Sequence, residues 1–494
     1  MARDTAAVTA LQAWVRTCSP LHIGGLGAVT GQDAPVARDA LGRLILPGTS
    51  IAGALRGALG QSVDQLDAPT DTWGAADTDG LGASRVVVHD AMVGPAREAA
   101  TAQGGVALGR RDGVAIDRAW GSAVDGLLYG REVVPAGWWA LVTVEVHSAP
   151  GAETADLALL ARLRAELLGG LWLGARTSRG LGEVRAGEQD VTITQLRYDS
   201  PEAFWTTRRT PAAVTLPDVA SAGAGVLEVE IDWRPDGPVV VGSGAATARL
   251  SFLPLVEPAP AEDGSPGGDR LRLVLPGTAI AGALRARAEL ICRTLDGRDP
   301  PTEFAEQLLD CPLVAALFGA AAGTANATWS PLQVLDCQSV STISAAEWYA
   351  TADTGSDDVA PRNVPATGAA ELRRTEHVAI DRWTGGASDG RLFTEYEPHG
   401  FAFALLRLRL RRDLLPAGVR DPATMLLLVT LRELVEGRLP LGGRTHRGYG
   451  AVTVSGVRLR GCGLDVTTGG PLDLHAEEFA GLRSAWRSRL EVLS

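Results

Sequence analysis

The sequence predicts an α+β fold that is built twice in tandem, and three observations predict it. Residues 47–56 (PGTSIAGALR) recur as residues 276–285 (PGTAIAGALR), with nine of ten positions identical. Further matches follow in the same order along the chain. The offset between matching segments grows slowly from 229 to 268 residues, as expected for a duplicated domain that has since taken up insertions. The remaining pairs are 84–90 with 330–336, 114–118 with 378–382, and 173–182 with 441–450.

We place the boundary near residue 222, which predicts one domain over residues 1–222 and a second over 223–494. Each copy opens with alternating apolar residues, at 11–16 and 227–233, which is typical of a half-buried strand. After the short apolar strand 44–46, Thr49 and Ser50 are good N-cap residues for a helix that carries Ile51, Leu55 and Leu59 on one face.

Later in each copy, segments 157–168 and 424–435 have the apolar spacing of helices. Strands are predicted to begin at 183–185 and 451–454, directly after the glycine-rich segments. The order strand, helix, strands, helix, strand predicts an antiparallel sheet with helices on one face. This is the ferredoxin-like (RRM-like) arrangement.

Composition limits the possible functions. With 494 residues and 46% apolar residues, the chain can fill a core in each domain. No apolar run approaches the roughly 20 residues that cross a bilayer, so we expect a cytoplasmic protein without a membrane partner. The net charge of −12 predicts that any nucleic acid lies in a local groove, since the remaining surface would repel it. The five cysteines form no C-x-x-C pair, which predicts free thiols and no zinc.

The glycine-rich segments place two arginines three residues apart, Arg176 and Arg179 in one copy and Arg444 and Arg447 in the other. Glycines such as Gly180 and Gly448 leave backbone N–H groups open to a bulky anion, so the pattern predicts phosphate binding. An alternative is a glycine turn with its arginines in solvent. The helix starts add Arg56 and Arg285, and Thr278 in the position of Thr49; these too are candidates to face a phosphate, or else are surface residues beside a helix start.

These motifs together resemble the backbone subunits of type III CRISPR effectors, the Cas-seven family of the RAMP superfamily. Residues 21–25 (LHIGG), 33–39 (DAPVARD) and 47–56 follow the family's N-terminal signature, and the glycine-rich segments follow its C-terminal loop. Residues 114–134 are similar to its β-hairpin thumb. Tandem fusions of this kind occur in subtype D systems. One departure is that the family's usual lysine at the helix start is replaced by Ala52 and Ala281.

The resemblance implies a subunit that binds the guide CRISPR RNA, meets complementary target RNA and contacts other effector subunits. It also implies that His22 contacts a base or phosphate, although an ordinary histidine at a strand end has the same sequence appearance. Aromatic residues in the thumb segments can wedge against an exposed base or pack within the hairpin. These residues are Trp120, Tyr129, Trp383 and Phe393. Asp117 and Asp381 are expected to pair with the adjacent arginine or to shape the thumb.

By the same resemblance, Asp33 is the catalytic residue for target-RNA cleavage, because the family's cleavage aspartate falls on it. RNA carries its own nucleophile, the 2′-hydroxyl, so one aspartate that anchors Mg²⁺ or Mn²⁺ suffices for a metal-dependent endoribonuclease. Phe252 occupies the matching position of the second copy. We therefore expect one cutting site, in the first domain. An Asp before Pro35 is also typical of a simple turn.

Two other functions remain open. The chain could be a scaffold for guide RNA that does not cleave, a choice that depends on Asp33. It could also be an unrelated enzyme whose glycine loops bind a small phosphorylated ligand. The sequence contains neither a G-x-x-x-x-G-K-[ST] loop nor a dinucleotide-binding fingerprint, which disfavours the second alternative.

Overall fold

The structure, a computed structural model, describes residues 5–25, 34–60, 73, 84–98, 108–198, 210–219, 225–244, 250–260, 268–320, 329–352 and 362–493. The chain forms two compact units. The first contains Met1–Gly109, Arg131–Thr177 and Leu181–Gly223, and the second contains Arg110–Gly130, Ser178–Gly180 and Ala224–Ser494. Two short segments of the first repeat therefore belong to the second compact unit.

The first repeat has ten described strands and two helices. The strands are β1 (Ala7–Thr17), β2 (Ile45–Leu46), β3 (Val86–Val88), β4 (Ala91–Gly94), β5 (Gly109–Ile116), β6 (Ala123–Val133), β7 (Trp139–Ser148), β8 (Leu171–Trp172), β9 (Glu183–Arg197) and β10 (Ala212–Ala213). The helices are α1 (Gly48–Ala58) and α2 (Glu153–Gly169). The main sheet runs β10-β9-β1-β7-β4-β2, with β3 also paired to β7 and β8 to β9.

The main sheet of the first unit is ferredoxin-like, as predicted. Its principal strands lie in the order β9-β1-β7-β3, and β1 pairs antiparallel with both β7 and β9. Helices α1 and α2 contact each other and the sheet, so they cover one face. Leu11 and Val15 of β1 are buried with Ile51 and Leu55 of α1, which explains the alternating and helical apolar spacings in the sequence.

The second repeat has twelve described strands and six described helices. The strands are β11 (Val226–Pro235), β12 (Leu250–Phe252), β13 (Val256–Pro258), β14 (Arg270–Leu275), β15 (Leu332–Val334), β16 (Cys337–Ser344), β17 (Asn363–Pro365), β18 (Glu371–Ile380), β19 (Ala387–His399), β20 (Leu406–Arg411), β21 (Val452–Gly461) and β22 (Leu464–Thr468). The helices are α3 (Gly277–Asp296), α4 (Phe304–Gln307), α5 (Pro312–Phe318), α6 (Ala345–Ala352), α7 (Ala417–Val435) and α8 (Ala480–Leu493).

The second unit repeats the ferredoxin-like order. Its five-stranded sheet runs β15-β20-β11-β21-β22, and α3 and α7 pack on it. Both repeats interrupt the pairing of their first and last principal strands at matching places, next to Val15 and next to Trp233. Helix α7 buries Leu426, Leu428 and Leu431 completely, which contributes roughly 2 kcal/mol for each leucine.

Each repeat inserts a long β-hairpin, β5–β6 in the first and β18–β19 in the second. The second hairpin continues into a four-stranded sheet in the order β12-β19-β18-β17. Most of the first hairpin, Arg110–Gly130, lies in the second compact unit. Within the described part of the chain, no helix is both long enough and apolar enough to span a membrane.

Candidate nucleic-acid interface

The two glycine-rich loops share the backbone hydrogen bonds that close them. Leu173 N–H donates to Gly182 O at 2.8 Å, and Leu441 N–H donates to Gly450 O at 2.9 Å. Each loop also forms a hydrogen bond with the residues that follow the first strand of its unit. Gly182 N–H donates to Pro20 O at 2.8 Å, and Gly450 N–H donates to Pro238 O at 2.9 Å. The segment that begins at Pro238 shares too few residues with segment 20–23 for this correspondence to be found from the sequence.

Each loop holds one arginine in the left-handed region. Arg176 has a φ of 62° and Arg444 a φ of 61°, and a short 3₁₀ turn follows each, Thr177–Arg179 and Thr445–Arg447. This conformation costs a residue other than glycine about 1–2 kcal/mol. Its presence at both arginines shows that the loop geometry has been kept through the divergence of the two repeats. Strained backbone of this kind concentrates at functional sites.

The helix starts are not capped by Thr49 and Ser50, so the N-cap prediction is wrong. Helix α1 begins at Gly48 and α3 at Gly277, and the N-cap residue in each case is a proline without a side-chain cap. Instead, Asp90 Oδ1 accepts the Gly48 N–H at 2.7 Å, and Asp336 Oδ1 accepts the Gly277 N–H at 2.7 Å. These aspartates end the weakly matched segments 84–90 and 330–336. The two segments match because each supplies the aspartate that accepts the first N–H of a helix. That N–H group is therefore not free to bind phosphate.

Both helix starts need glycine because the backbone of the neighbouring segment comes very close. A Cβ at Gly48 would lie 2.2 Å from Val88 O, and one at Gly277 would lie 2.1 Å from Val334 O. Thr49 is exposed, whereas Ser50 and Thr278 are half-buried. The hydroxyl of Thr49 thus remains available at the surface of the first helix start.

The two helix arginines differ in their surroundings. Arg56 is half-buried on α1. Arg285 donates to Glu289 at 2.9 Å, to Gly319 O at 3.2 Å and to Leu308 O at 3.4 Å. Because the Arg285 guanidinium already donates to protein groups, it is less available to a phosphate than the matching position in the sequence suggests.

The hairpin tips are shaped by aspartates, as expected. Asp117 Oδ1 accepts the N–H groups of Ala119 and Trp120 at 2.7 and 3.0 Å, and Asp381 Oδ1 accepts those of Trp383 and Thr384 at 2.8 and 2.9 Å. These hydrogen bonds, from Trp120 and from Thr384 above all, lower the pKa of both carboxyls. The turns hold Trp120 and Trp383 outward, with 77% and 96% of their surfaces exposed.

The first hairpin is held within the second unit by charged hydrogen bonds. Arg118 Nε donates to Glu289 Oε2 at 2.7 Å, and the Arg118 N–H donates to Gln307 at 2.8 Å. Nearer its base, Arg111 pairs with Glu257 at 2.9 Å and lies 3.5 Å from Asp336. Glu289 is almost fully buried, so these contacts fix the hairpin firmly.

The sequence profile of the RAMP superfamily matches residues 14–185 and 236–453, most of the chain and one match for each repeat. The chain belongs to the RAMP superfamily. No curated protein matches the sequence. Two cryo-EM structures are among the similar solved ones. One is the apo state of the Type III-B Cmr-beta, with 16% identity, a TM-score of 0.28, and coverage of 36% of this chain and 96% of that chain. The other is the Type III-B Cmr-beta bound to cognate target RNA, with 14% identity, a TM-score of 0.28, and coverage of 36% and 95%.

In the first RAMP domain, His22 is a packing residue. It is 3% exposed, and its Nδ1 lies 2.7 Å from Glu132 O. Burial lowers the pKa of His22, so the ring is neutral at physiological pH. The expectation that His22 contacts a base or phosphate does not fit this position. The sequence cannot distinguish a histidine that contacts RNA from one that packs within the protein, because either can stand at a strand end.

Asp33 lies outside the described residues, but the residues that follow it form hydrogen bonds with Glu132. Ala34 O accepts the Glu132 N–H at 3.0 Å, and Val36 N–H donates to the Glu132 carboxylate at 3.1 Å. The segment after Asp33 is therefore fastened to the base of the first hairpin. Among the described residues, no three His, Cys, Asp or Glu side chains gather as metal ligands.

In the second RAMP domain, aromatic rings and arginines alternate around the loop. The Arg444 guanidinium pairs with buried Glu395 and lies 4.5 Å from the ring centre of Phe252. The Arg447 guanidinium lies 5.4 Å from the ring centre of Phe393 and is exposed. Arg447 is thus the loop cation that faces solvent, while Arg444 is tied to protein. Tyr129, the first-hairpin counterpart of Phe393, is half-buried.

Proposed function

We propose that the chain is a guide-RNA-binding backbone subunit of a type III CRISPR effector complex. One observation carries the proposal: each RAMP domain presents the same strained glycine-rich loop with an arginine at its left-handed position. A motif kept in both copies, down to φ angles of 62° and 61°, is expected if both copies follow one repeating ligand. The phosphate backbone of a single RNA strand is such a ligand.

The second loop supports the proposal because it offers two kinds of donor to a phosphate. A Cβ at Gly448 would meet no atom within 4 Å, so the backbone there is open to solvent. Exposed Arg447 lies one residue before it. An open backbone beside an exposed guanidinium suits a phosphate oxygen, which accepts from both kinds of donor. In the first loop, Arg176 and Arg179 are half-buried. The corresponding glycine, Gly180, is buried, and a Cβ there would lie 2.7 Å from Asp336 N, so the prediction of an open backbone is wrong for the first loop.

The hairpins supply the second part of the proposed interface. Trp120 and Trp383 stand on rigid turns and are the most exposed aromatic side chains of the two hairpins. An exposed ring on a fixed turn can wedge between or stack on unpaired bases, whatever their sequence. Phe393 and Tyr129 lie closer to the hairpin bases and would border the same strand of RNA.

Guide binding is tested by filter binding of guide RNA to the complex over a range of salt concentrations. Arg447→Ala should weaken binding of all sequences equally and reduce the slope of log K against log[salt] by about 0.7, the value for one lost contact to single-stranded RNA. Arg460→Ala is the matched control, because Arg460 is an exposed arginine on β21 away from the loop. Equal salt slopes for both variants would contradict the proposed role of the loop.

We further propose that the first domain cleaves target RNA with help from Asp33. A ribose 2′-hydroxyl loses its proton to solvent and attacks the adjacent phosphorus. The bond from phosphorus to the 5′-oxygen breaks and that oxygen takes up a proton, so the products are a 2′,3′-cyclic phosphate and a 5′-hydroxyl, and the protein needs chiefly to align the strand. Mg²⁺ or Mn²⁺ held at Asp33 would stabilise the negative charge that develops on the phosphate. The fixed segment 34–36 supports this role, because it anchors the chain next to Asp33. A scaffold that does not cleave is the alternative.

Cleavage is tested with labelled RNA complementary to the guide, using the assembled complex in Mg²⁺ or in EDTA. Asp33→Ala should remove one metal-dependent cut while guide binding stays intact. An unchanged cutting pattern would mean that this chain only holds RNA.

A further inference from the structure

A cluster of proton-carrying side chains lies on one face of the β18–β19 ribbon in the second unit. Two histidines flank the carboxylate of Glu397: His377 Nε2 lies 3.3 Å from Oε1 and His399 Nε2 lies 3.4 Å from Oε2. Tyr449, from the end of the glycine-rich loop, donates its hydroxyl to Glu397 Oε1. One carboxylate therefore orients two imidazoles and ties them to the loop proposed to bind RNA.

The carboxylate remains an anion and the tyrosine remains a donor. Burial raises the pKa of Glu397, but hydrogen bonds from Tyr449, Thr375 and the two histidines outweigh it, so the pKa is lowered. Burial, together with the neighbouring carboxylate, raises the pKa of Tyr449 to about 12. A carboxylate that accepts a hydrogen bond from an imidazole holds the ring in place and stabilises its protonated form. Histidines that transfer protons in catalysis commonly have such a partner.

Both imidazoles are reachable from solvent. The side chains of His377 and His399 are 28% and 32% exposed, whereas that of Glu397 is 11% exposed. The Phe393 ring stacks on His377 at 5.3 Å and lies under the guanidinium of Arg447. An exposed cation therefore stands near one histidine, at a position suited to the charge of a phosphodiester.

Other charged groups border this cluster. Arg373 lies opposite Glu397 in the strand register and pairs with Glu371, which itself lies opposite His399. Glu395, on the same face of β19, is neutralised by Arg444. The two acidic neighbours of the cluster are thus each paired with an arginine, and Glu397 is left as the anion that the histidines share.

The cluster belongs to the second repeat alone. At the spacing of the hairpin motifs, the counterparts of His377, Glu397 and His399 are Gly113, Val133 and Pro135, and the glycine loop has Leu181 in place of Tyr449. The repeat that has Phe252 where the other has Asp33 has thus acquired a different set of ionisable groups.

We propose that the second repeat cleaves bound RNA without a metal ion, using His377 and His399 as its proton-transfer pair. The inference rests on the proposed function, since RNA must first be bound along the loop. One neutral imidazole takes the proton of a ribose 2′-hydroxyl as the oxygen attacks phosphorus. The bond from phosphorus to the 5′-oxygen breaks, and the other imidazole, as imidazolium, gives that oxygen a proton. The products are a 2′,3′-cyclic phosphate and a 5′-hydroxyl, and Arg447 offsets charge on the phosphate during attack.

The chemistry needs one neutral and one protonated imidazole at the same time. Histidine supplies both forms near neutral pH, because its ordinary pKa lies there.

The experiment uses the assembled complex, a labelled complementary RNA and the Asp33→Ala chain, so that the proposed metal-dependent cut is absent. In EDTA we expect a cut that persists. His377→Gln and His399→Gln can still donate to Glu397 but cannot shuttle a proton, and each should slow this cut by about 10²–10⁴-fold. His475→Ala changes an exposed histidine outside the cluster and should leave the rate unchanged.

Each remaining outcome overturns a defined part of the reasoning. If guide binding and the metal-dependent cut of the native chain are intact but no cut survives EDTA, the inference fails and the proposed function stands. If the cut survives EDTA but both glutamine variants keep it at full rate, the histidines are not the proton carriers and the inference fails. If the native chain binds no guide RNA, the proposed function itself fails.

Discussion

Asp336 offers a direct test of how the helix start of the second repeat is stabilised. Its side chain is 2% exposed, its Oδ1 accepts the Gly277 N–H at 2.7 Å, and its Oδ2 lies 3.5 Å from Arg111. Burial raises the pKa of Asp336 to about 6, although Arg111 opposes the change. We expect Asp336→Asn to keep the hydrogen-bond acceptor while removing the buried charge.

The expected magnitude follows from this pKa. An unfolded aspartate has a pKa near 3.9, so a folded value of about 6 corresponds to roughly 3 kcal/mol, with the attraction to Arg111 already included. The folded protein binds the proton more tightly than the unfolded chain does. The associated stability is therefore complete below about pH 4 and is lost as the pH rises through about 6. At pH 7.5 the Asn variant should be more stable than the native chain by up to about 3 kcal/mol.

The assay is urea unfolding at pH 5 and pH 7.5. Asp336→Ala should be less stable than Asp336→Asn by about 1–3 kcal/mol, because it leaves the buried Gly277 N–H without an acceptor. Asp90→Asn is the matched control, since Asp90 makes the same contact to Gly48 from an exposed position. The reasoning is refuted if Asp336→Asn loses as much stability at pH 7.5 as Asp336→Ala.

Three further predictions concern single sites. Glu289→Ala should cost roughly 3–5 kcal/mol in urea unfolding, because it leaves Arg118 and Arg285 without their shared anion; a loss below 1 kcal/mol would contradict this. Gly450→Ala should disrupt the second loop, since its Cβ would lie 2.4 Å from Leu441 O. Gly448→Ala has open space around the new Cβ and should lower the free energy of unfolding by only about 1–2 kcal/mol. Equal losses of stability in the two variants would argue against the close approach at Gly450. Stability supplied by neutral His22 should be present above about pH 6.5 and lost as pH falls, and His22→Gln should flatten that dependence in thermal unfolding; an unchanged profile would refute it.

Much of the backbone could be predicted from the sequence because the duplication allowed each weak local signal to be read twice. The first strands, the helix after residue 47 and the two glycine loops were located in this way. Helix α7 is a partial exception: it begins at Ala417, seven residues before the predicted segment, and includes Pro422. The first residues of this helix, 417–421, lack helical apolar spacing, and a proline ordinarily ends a helical pattern, so the sequence does not indicate this part of the helix.

The candidate site was less predictable because its contacts join residues that are distant in sequence. The adjacent hydroxyls of Thr49 and Ser50 predict the cap of α1, but the acceptors at α1 and α3 are Asp90 and Asp336, which lie 42 and 59 residues away. The weak match between segments 84–90 and 330–336 was the available signal. Nothing in the sequence indicated that His377, His399 and Tyr449 meet at one carboxylate, because the hairpin register and the loop together decide it.

The two repeats have kept one backbone while their side chains have diverged in a coordinated way. The glycine loops share dihedral angles, yet Leu181 stands where Tyr449 donates to Glu397, and Val133 stands where Glu397 accepts. A buried carboxylate without donors would be costly, so Glu397 depends on donors that include Tyr449, which the first repeat lacks. Loop and hairpin of the second repeat thus differ from those of the first at two positions that contact each other. Such differences, in the repeat that has Phe252 where the other has Asp33, are expected if the two repeats act differently on the RNA that we propose they bind.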